Sequence, residues 1–239
     1  DNIRSQIAFL GELVAALFLA ARNPRVVRWK DAFLIAETAG VNAFPIVALI
    51  SFLIGLIMAF QAAIPMSQFG AEIFVADLIA LSTLRELGPL MTAIVMAGRT
   101  SSAFAAELGT MKVNEEMDAL TTMGLDPVRF LVVTRVIATL FMMPLLTIFS
   151  NLLGIMGGSV VLLSMGYPLS AYVDRIILSA DYVDLLGGLL KSLAFGLIVA
   201  GIGCSHGLRT RTGASAVGDS TTKAVVSGII MIIVTDGIF

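Results

Sequence analysis

The sequence contains little charge. Only 13% of its 239 residues are Asp, Glu, Lys or Arg, while 58% are hydrophobic and the mean hydropathy is +0.97. An average soluble domain has roughly 25% charged residues. This chain cannot cover a water-exposed surface with polar groups, so a soluble globular fold is excluded. The net charge of -2 also provides no basic field for binding nucleic acid.

Cysteine and histidine each occur once. Cys204 cannot form an internal disulfide, and its apolar surroundings indicate a small buried residue. A structural zinc site needs about four ligands, so Cys204 and His206 do not make one. GxxxxGK[ST], HExxH and GxSxG motifs are absent. We therefore expect no metal, no cofactor and no ATPase site on this chain. An intramembrane enzyme using Glu86, Glu107 or Lys191 is the alternative.

The first 40 residues differ from the rest. Residues 7–21 are apolar but include Glu12, and they are followed by a group of cations, Arg22, Arg25, Arg28 and Lys30. This mixture is typical of a helix that lies in the membrane interface. A signal peptide would carry its positive charge before the apolar run, and a true span is the other alternative. We expect residues 1–40 to form an interfacial helix segment.

Apolar stretches of about 20 residues, the length needed to cross a bilayer, recur along the rest of the chain. They predict five membrane spans, near residues 43–63, 85–109, 130–165, 185–203 and 223–239. The third allows roughly 54 Å of helix, so we expect it to bend at Pro144 or to extend beyond the bilayer. The expected fold is all-α, with a transmembrane bundle over 43–239 inside a single domain, 1–239.

Lysine and arginine are unevenly distributed between the two ends of these spans. Most lie in the N-terminal segment and in the connections 107–129 and 205–223, whereas Arg85, Arg175 and Lys191 lie on the other side. By the positive-inside rule, the N-terminus and both connections are cytoplasmic.

The second span has a face of small residues, Ala97, Ser101, Ala105 and Gly109, and Gly154 and Gly158 repeat this spacing in the third. Helices approach closely on such faces. Internal packing is the simpler interpretation, and a contact between two copies of the chain is the alternative.

The cytoplasmic connection between spans two and three has the pattern of a short helix over residues 113–123. Asn114 is a suitable N-cap, Glu115 and Glu116 suit the first turn, and Gly124 and Pro127 end the helix. Met117, Leu120 and Thr121 share one side, which predicts a small apolar knob in an acidic surround. Such an element suits the docking of a cytoplasmic subunit. A solvated loop helix without a partner is the alternative.

Distinctive motifs surround this connection: RELGP at 85–89, AGRTSSAFAAELGTMKV at 97–113, NEEMDAL at 114–120, MGLDP at 123–127 and, further on, GDSTTKAVV at 218–226. Together they resemble the MlaE permease family, the membrane subunits of bacterial Mla-type and Mce-associated ABC lipid transporters, with relatives in chloroplast lipid import. The resemblance extends over most of the chain.

The resemblance implies a multi-pass inner-membrane homodimer that moves phospholipid to or from periplasmic carriers and maintains outer-membrane lipid asymmetry. ATP and Mg would be bound by a separate MlaF-like ATPase. An MlaB-like STAS protein and a hexameric MlaD-like MCE protein are the further partners implied. The ATPase would contact the coupling helix at 113–123, through Glu115, Glu116, Met117, Asp118 and Leu120.

The charges opposite the cytoplasmic face indicate where lipid would bind. Arg85 and Glu86 start the predicted second span and Lys191 starts the fourth. Charges so near the apolar zone are costly unless they pair or line a wet cavity. We expect these three residues to line an outward-open cavity and to meet a phospholipid headgroup, with Arg85 or Lys191 on the phosphate. Four apolar residues are expected to contact the acyl chains: Met66, Phe69, Leu78 and Leu81. Interfacial snorkelling with Glu86 as counter-ion is the alternative.

Two other functional classes are weaker interpretations of the same sequence. Secondary transporters commonly contain internal repeats with broken helices, and no repeat is visible here. A structural anchor for a periplasmic complex would not require a docking element on the cytoplasmic side.

Overall fold

The structure is a computed structural model that describes residues 2–22, 27–211 and 213–239. Within these ranges the chain is helical and has no strand, which confirms the all-α prediction. In chain order the α-helices are α1 (Asn2–Arg22), α2 (Trp29–Ser67), α3 (Val75–Ser82), α4 (Gly88–Met96), α5 (Ser102–Val113), α6 (Glu116–Thr122), α7 (Val133–Ser164), α8 (Leu169–Ser179), α9 (Tyr182–Leu208) and α10 (Ala214–Asp236). Arg25, one of the cations that favoured an interfacial helix, lies outside the described residues.

Five helical segments of the described chain are long and apolar enough to cross a membrane. The second is one run, Glu72–Val113, in which π-helical turns at Thr83–Leu87 and Ala97–Ser101 join α3, α4 and α5. The third, Val128–Ser164, includes α7, whose helix continues through Pro144. The number of spans predicted from the sequence is therefore confirmed, and α2, α9 and α10 provide the other three.

The predicted starts of three spans are wrong. The second span begins at Glu72 rather than near residue 85, and α9 and α10 begin at Tyr182 and Ala214 rather than near 185 and 223. The prediction left out the polar residues that precede each of these starts. Several of these residues have partners in the structure, as Asp77 of α3 does with Arg175 of α8 at 2.8 Å. Arg85, Glu86 and Lys191 consequently lie well inside their helices rather than at the ends.

The described chain forms two compact units. The first contains α1, α5, α6 and α10 with parts of the long helices, and its core includes Phe9, Leu13, Phe104 and Met117. The second contains α3, α4 and α8 with the remaining parts, and its core includes Val75, Ile79, Leu162 and Tyr172. That the whole chain acts as a single domain stays a prediction.

The small-residue face of the second span is used for packing inside the first unit. A Cβ on Gly203 of α9 would lie 2.6 Å from the carbonyl oxygen of Ser101, and one on Gly207 would lie 2.7 Å from the Cβ of Leu108. Ala97 is buried and lies beside Gly228 of α10. Internal packing thus accounts for this face.

In the second unit, α2 and α7 meet backbone to backbone. A Cβ on Gly55 would lie 1.9 Å from the carbonyl oxygen of Gly154, and a Cβ on Gly157 would lie 2.0 Å from that of Phe52. Close approach of this kind lets membrane helices gain dispersion and weak Cα–H hydrogen bonds without large side chains. Glycine is therefore required at these positions.

Gly157→Ala is expected to destabilise the protein by about 1–3 kcal/mol, because the new methyl group forces α2 and α7 apart. The matched control is Gly187→Ala on α9, where a Cβ meets nothing within 4 Å. There alanine improves helix propensity and stability is expected to hold or rise. Thermal unfolding of the purified variants measures both, and equal melting temperatures for the two would contradict the close contact.

Candidate functional site

The π-helical turn Thr83–Leu87 carries two of the predicted lipid-binding residues, Arg85 and Glu86. Within the turn, the N–H of Gly88 donates to the carbonyl of Thr83, and Pro89 follows with no N–H to offer. A proline leaves a carbonyl of the preceding turn without its α-helical donor. Wider turns of this kind are frequent at functional sites.

Glu86 forms an ion pair with Lys191 of α9, with 2.5 Å between carboxylate and ammonium. The side chain of Lys191 is only 9% exposed, whereas that of Glu86 is 52% exposed. The turn and α9 are also packed closely, because a Cβ on Gly188 would lie 2.1 Å from the carbonyl oxygen of Leu84. In this pair the anion is accessible and the cation is covered.

Arg85 forms the complementary pair with Asp184, near the start of α9, at 2.9 Å. Here the exposure is reversed, since the Arg85 side chain is 61% exposed and that of Asp184 is 11% exposed. The two neighbouring pairs therefore present one accessible cation and one accessible anion. We name Arg85, Glu86, Asp184 and Lys191 the paired-charge site.

The sequence analysis missed Asp184 as a member of this site. Residues 166–184 are acidic, with Asp174, Asp181 and Asp184, but no partner was predicted for any of them. A usable signal was that Arg85 and Asp184 fall on the same predicted membrane face, where few cations are expected and each needs a counter-ion.

The four apolar residues predicted to contact acyl chains are placed differently from one another. Met66 packs against the core of the second unit, and Leu81 is half-buried. Phe69 and Leu78 are exposed. Acyl contact stays a prediction for all four, and only Phe69 and Leu78 present a large open surface for it.

The predicted coupling helix is shorter than expected. It is α6, Glu116–Thr122, and Asn114 is not its N-cap. Asn114 closes α5, and Glu115 precedes α6 with φ of 60°, the left-handed conformation. Residues other than glycine adopt this backbone conformation at a cost of about 1 kcal/mol or more. The sharp turn between α5 and α6 explains the shorter helix.

The prediction that Met117 belongs to an exposed apolar knob is wrong. This side chain is 3% exposed and belongs to the core of the first unit, and Leu120 packs against the same core. The inward side of α6 thus attaches it to the protein. Its outward side is acidic, because Glu115, Glu116 and Asp118 are exposed.

The end of α6 follows the predicted pattern. Gly124 adopts φ of 76°, its N–H donates to the carbonyl of Thr121, and the N–H of Leu125 donates to that of Leu120 at 3.0 Å. These bonds form a Schellman-type cap. Met123 and Leu125 are exposed beside it, so the apolar surface near the coupling helix lies at its end.

A cavity of about 290 Å³ lies beside α6. Its charged lining residues are Glu12, Lys112, Asp118 and Asp126. Lys112 and Asp118 are 3.4 Å apart and offset each other's charge. Glu12 and Asp126 remain, so the lining of the cavity is acidic overall.

Glu115→Gly is expected to stabilise the protein by up to about 1 kcal/mol, because glycine adopts a positive φ without strain. Glu116→Gly, one residue later and inside α6, is the control with the same loss of charge. It is expected to destabilise by about 1 kcal/mol. Thermal unfolding distinguishes them, and equal shifts of the same sign would refute the left-handed conformation.

Two arginines of the spans contact groups within the first unit. Arg135 forms an ion pair with Glu107 at 2.9 Å and lies over the ring of Phe104. Arg99, in the second π-helical turn, donates to the backbone carbonyl of Asn42. Arg99 and Glu107 therefore stabilise helix packing within the first unit. Within the described residues, no group of three His, Cys, Asp or Glu side chains is placed to hold a metal.

The described chain has five membrane-length helices, ion pairs inside them and a short acidic helix between two of them. These features define a multi-pass membrane protein. The Permease MlaE family matches residues 34–239. The chain belongs to that family.

Curated relatives agree with this assignment. A probable ABC transporter permease of Synechocystis sp. is 38% identical over 232 residues, which cover 94% of this chain and 88% of the relative. The intermembrane phospholipid transport system permease protein MlaE of Haemophilus influenzae is 33% identical over 82% of this chain and 76% of its own length. Protein TRIGALACTOSYLDIACYLGLYCEROL 1, chloroplastic, of Arabidopsis thaliana is 36% identical over 88% of this chain and 60% of its own length.

Proposed function

We propose that this chain is the permease subunit of an ABC transporter that moves phospholipid between the inner membrane and periplasmic MCE-type carriers. The observation that carries the proposal is the match along most of the chain to a permease named for intermembrane phospholipid transport. The energy comes from hydrolysis of ATP, which is bound with Mg by a separate MlaF-like ATPase. The physiological result is maintenance of outer-membrane lipid asymmetry.

The coupling element of this machine is α6. Its buried side, with Met117, packs into the core of the first unit. A displacement of α6 by the ATPase would therefore move this core as well. Its exposed carboxylates, Glu115, Glu116 and Asp118, suit a basic groove on the ATPase. The distribution of lysine and arginine supports a cytoplasmic location for α6 and the N-terminus.

The paired-charge site binds the lipid headgroup. Arg85 has the accessible cation, so it is the contact for phosphate, and Lys191, which is covered, is the partner that fixes Glu86. The carboxylate of Glu86 is half exposed, so it can also accept a hydrogen bond from a headgroup amine. One cation beside one anion matches a zwitterionic headgroup of the phosphatidylethanolamine type better than an anionic one.

The assembly contains two copies of this chain, the ATPase, an MlaB-like STAS protein and an MlaD-like hexameric MCE protein. Native mass spectrometry of the complex, extracted gently from its own membrane, tests this. We expect two permease copies with bound phospholipid and a nucleotide-binding subunit. A lipid-free monomer without an ATPase, under conditions that preserve other membrane complexes, would overturn the proposal.

A further inference from the structure

Helix α8 lies between two membrane spans, in a segment whose sequence mixes apolar, polar and acidic residues. It covers Leu169–Ser179, and it follows α7, which ends at Ser164, and precedes α9, which begins at Tyr182. Both ends of α8 are therefore tethered to the membrane face at which these two spans end. We call it the distal face.

One side of α8 is fixed to the protein. Tyr172 is buried, and its hydroxyl donates to the carbonyl of Ile155 at 2.8 Å. The guanidinium of Arg175 donates twice to the carboxylate of Asp77 on α3, at 2.8 and 3.1 Å, and lies over the ring of Phe74. The helix is thus held on α3 and α7 by a buried hydroxyl and a two-bond ion pair.

The exposed surface of α8 is divided lengthwise. Leu169, Val173 and Ile177 recur every four residues and are all exposed, Ile177 at 70%. We call these three the apolar flank. Beside them, Ser170 and Asp174 form an exposed polar flank over the first part of the helix, and Leu178, exposed at 79%, ends that row with an apolar residue. A helix with a core side, an apolar flank and a polar flank fits an interface between an apolar and an aqueous medium.

The neighbouring spans identify the apolar medium. On α7, Met156 and Val160 form an exposed apolar row, and on α9 Leu186 and Leu190 do the same. Exposed apolar surface on a helix that crosses a membrane is suited to contact lipid, and α8 connects these two spans in the chain. Tyr182, exposed at the start of α9, is the kind of residue enriched at the headgroup level.

We propose that α8 is a lipid-binding interfacial helix, with Leu169, Val173 and Ile177 inserted at the boundary between headgroups and acyl chains of the distal leaflet. Through Arg175 and Asp77, it sets the depth of α3. Arg85 lies about 12 Å further along the same helical run, so α8 fixes the depth at which the paired-charge site meets a headgroup. The placement of α8 requires only that the chain spans a membrane and not that it transports lipid.

Nitroxide spin labels on single cysteines, read by power saturation in the whole complex in lipid nanodiscs, test the proposal. Cys204→Ala removes the buried native thiol. Labels at Val173→Cys and Ile177→Cys report the apolar flank, and those at Ser170→Cys and Asp174→Cys are matched controls on the same helix. We expect oxygen to relax the first two labels severalfold more effectively than a water-soluble nickel chelate does, and the order to reverse for the controls.

The proposal is overturned if all four labels respond to the nickel chelate, which means that α8 lies in water. It is also overturned if labels at 173 and 177 are shielded from both reagents, which means that a protein covers the flank. The depth-setting role has its own readout. With Asp77→Asn, which breaks the ion pair, we expect the label at 177 to change depth, and an unchanged depth would refute the clamp.

Discussion

The double variant Glu86→Gln/Lys191→Met is expected to keep the stability of the protein but to lose at least tenfold in phospholipid transport. The two single variants differ in stability. Glu86→Gln removes the carboxylate that pairs with Lys191, a side chain only 9% exposed, and breaking a buried ion pair from one side is strongly destabilising. Lys191→Met leaves a carboxylate that is half exposed to solvent, so its loss of stability is smaller. Removing both charges relieves the imbalance.

Transport should not recover with stability, because the accessible carboxylate of Glu86 is the group proposed to meet the headgroup. Loss of one hydrogen bond to a charged group, worth roughly 1.5–3 kcal/mol, corresponds to about tenfold or more in binding. Melting temperature and transfer of labelled phosphatidylethanolamine from proteoliposomes give the two readouts. Gly187→Ala on the same helix is the neutral control.

If the double variant regains transport together with stability, the Glu86–Lys191 pair is structural and the headgroup assignment is wrong. A second comparison separates the two halves of the headgroup. Glu86→Gln in a stable background should lower transfer of phosphatidylethanolamine more than that of phosphatidylglycerol, whereas Arg85→Gln should lower both.

Glu116→Lys is expected to reduce the ATPase recovered with the permease at least tenfold, with little change in the melting temperature of the permease itself. Glu116 is exposed on the outward side of α6, so reversing its charge leaves the core intact. Placed against a basic groove, the new lysine introduces like-charge repulsion of several kcal/mol. The measurement is the ratio of the two subunits after purification of the complex.

Glu37→Lys is the matched control, since Glu37 is an exposed residue of α2 rather than of α6 and undergoes the same charge reversal. Its ATPase ratio should equal that of the unmodified chain. Equal ratios for Glu116→Lys and the unmodified chain would show that α6 is a solvated helix without a docked partner. Leu120→Asp is a weaker test, because Leu120 packs against the core and its replacement damages the fold as well.

The sequence predicted the span count because the free energy of burying apolar runs in a bilayer is local and additive. It misplaced span starts where a charge has a distant partner. Asp77 counted against a helix in the hydropathy pattern, yet its pairing with Arg175 places it within the second span. Pairing across nearly a hundred residues is a tertiary property that no window of sequence contains.

The direction of an amphipathic helix was a further limit. The spacing of Met117 and Leu120 correctly put them on one side of α6, but it did not say whether that side faces a partner or the protein's own core. The left-handed backbone of Glu115 makes a sharp turn between α5 and α6, and this turn directs that side of α6 toward the core. Glutamate rarely adopts this conformation, so the turn could not be predicted from the residue type. Helix α8 was not predicted for a related reason: its polar flank interrupts the apolar pattern of the segment.

The most direct test of the account is ATP-dependent transfer of phospholipid by the purified complex. The complex is reconstituted in liposomes with a fluorescent phosphatidylethanolamine, and transfer to an MCE-type carrier is followed with ATP and Mg or with a non-hydrolysable analogue. We predict transfer whose rate depends on ATP hydrolysis and falls at least tenfold in the Glu86→Gln/Lys191→Met variant. A complex that hydrolyses ATP without moving phospholipid in either direction would contradict the proposed function.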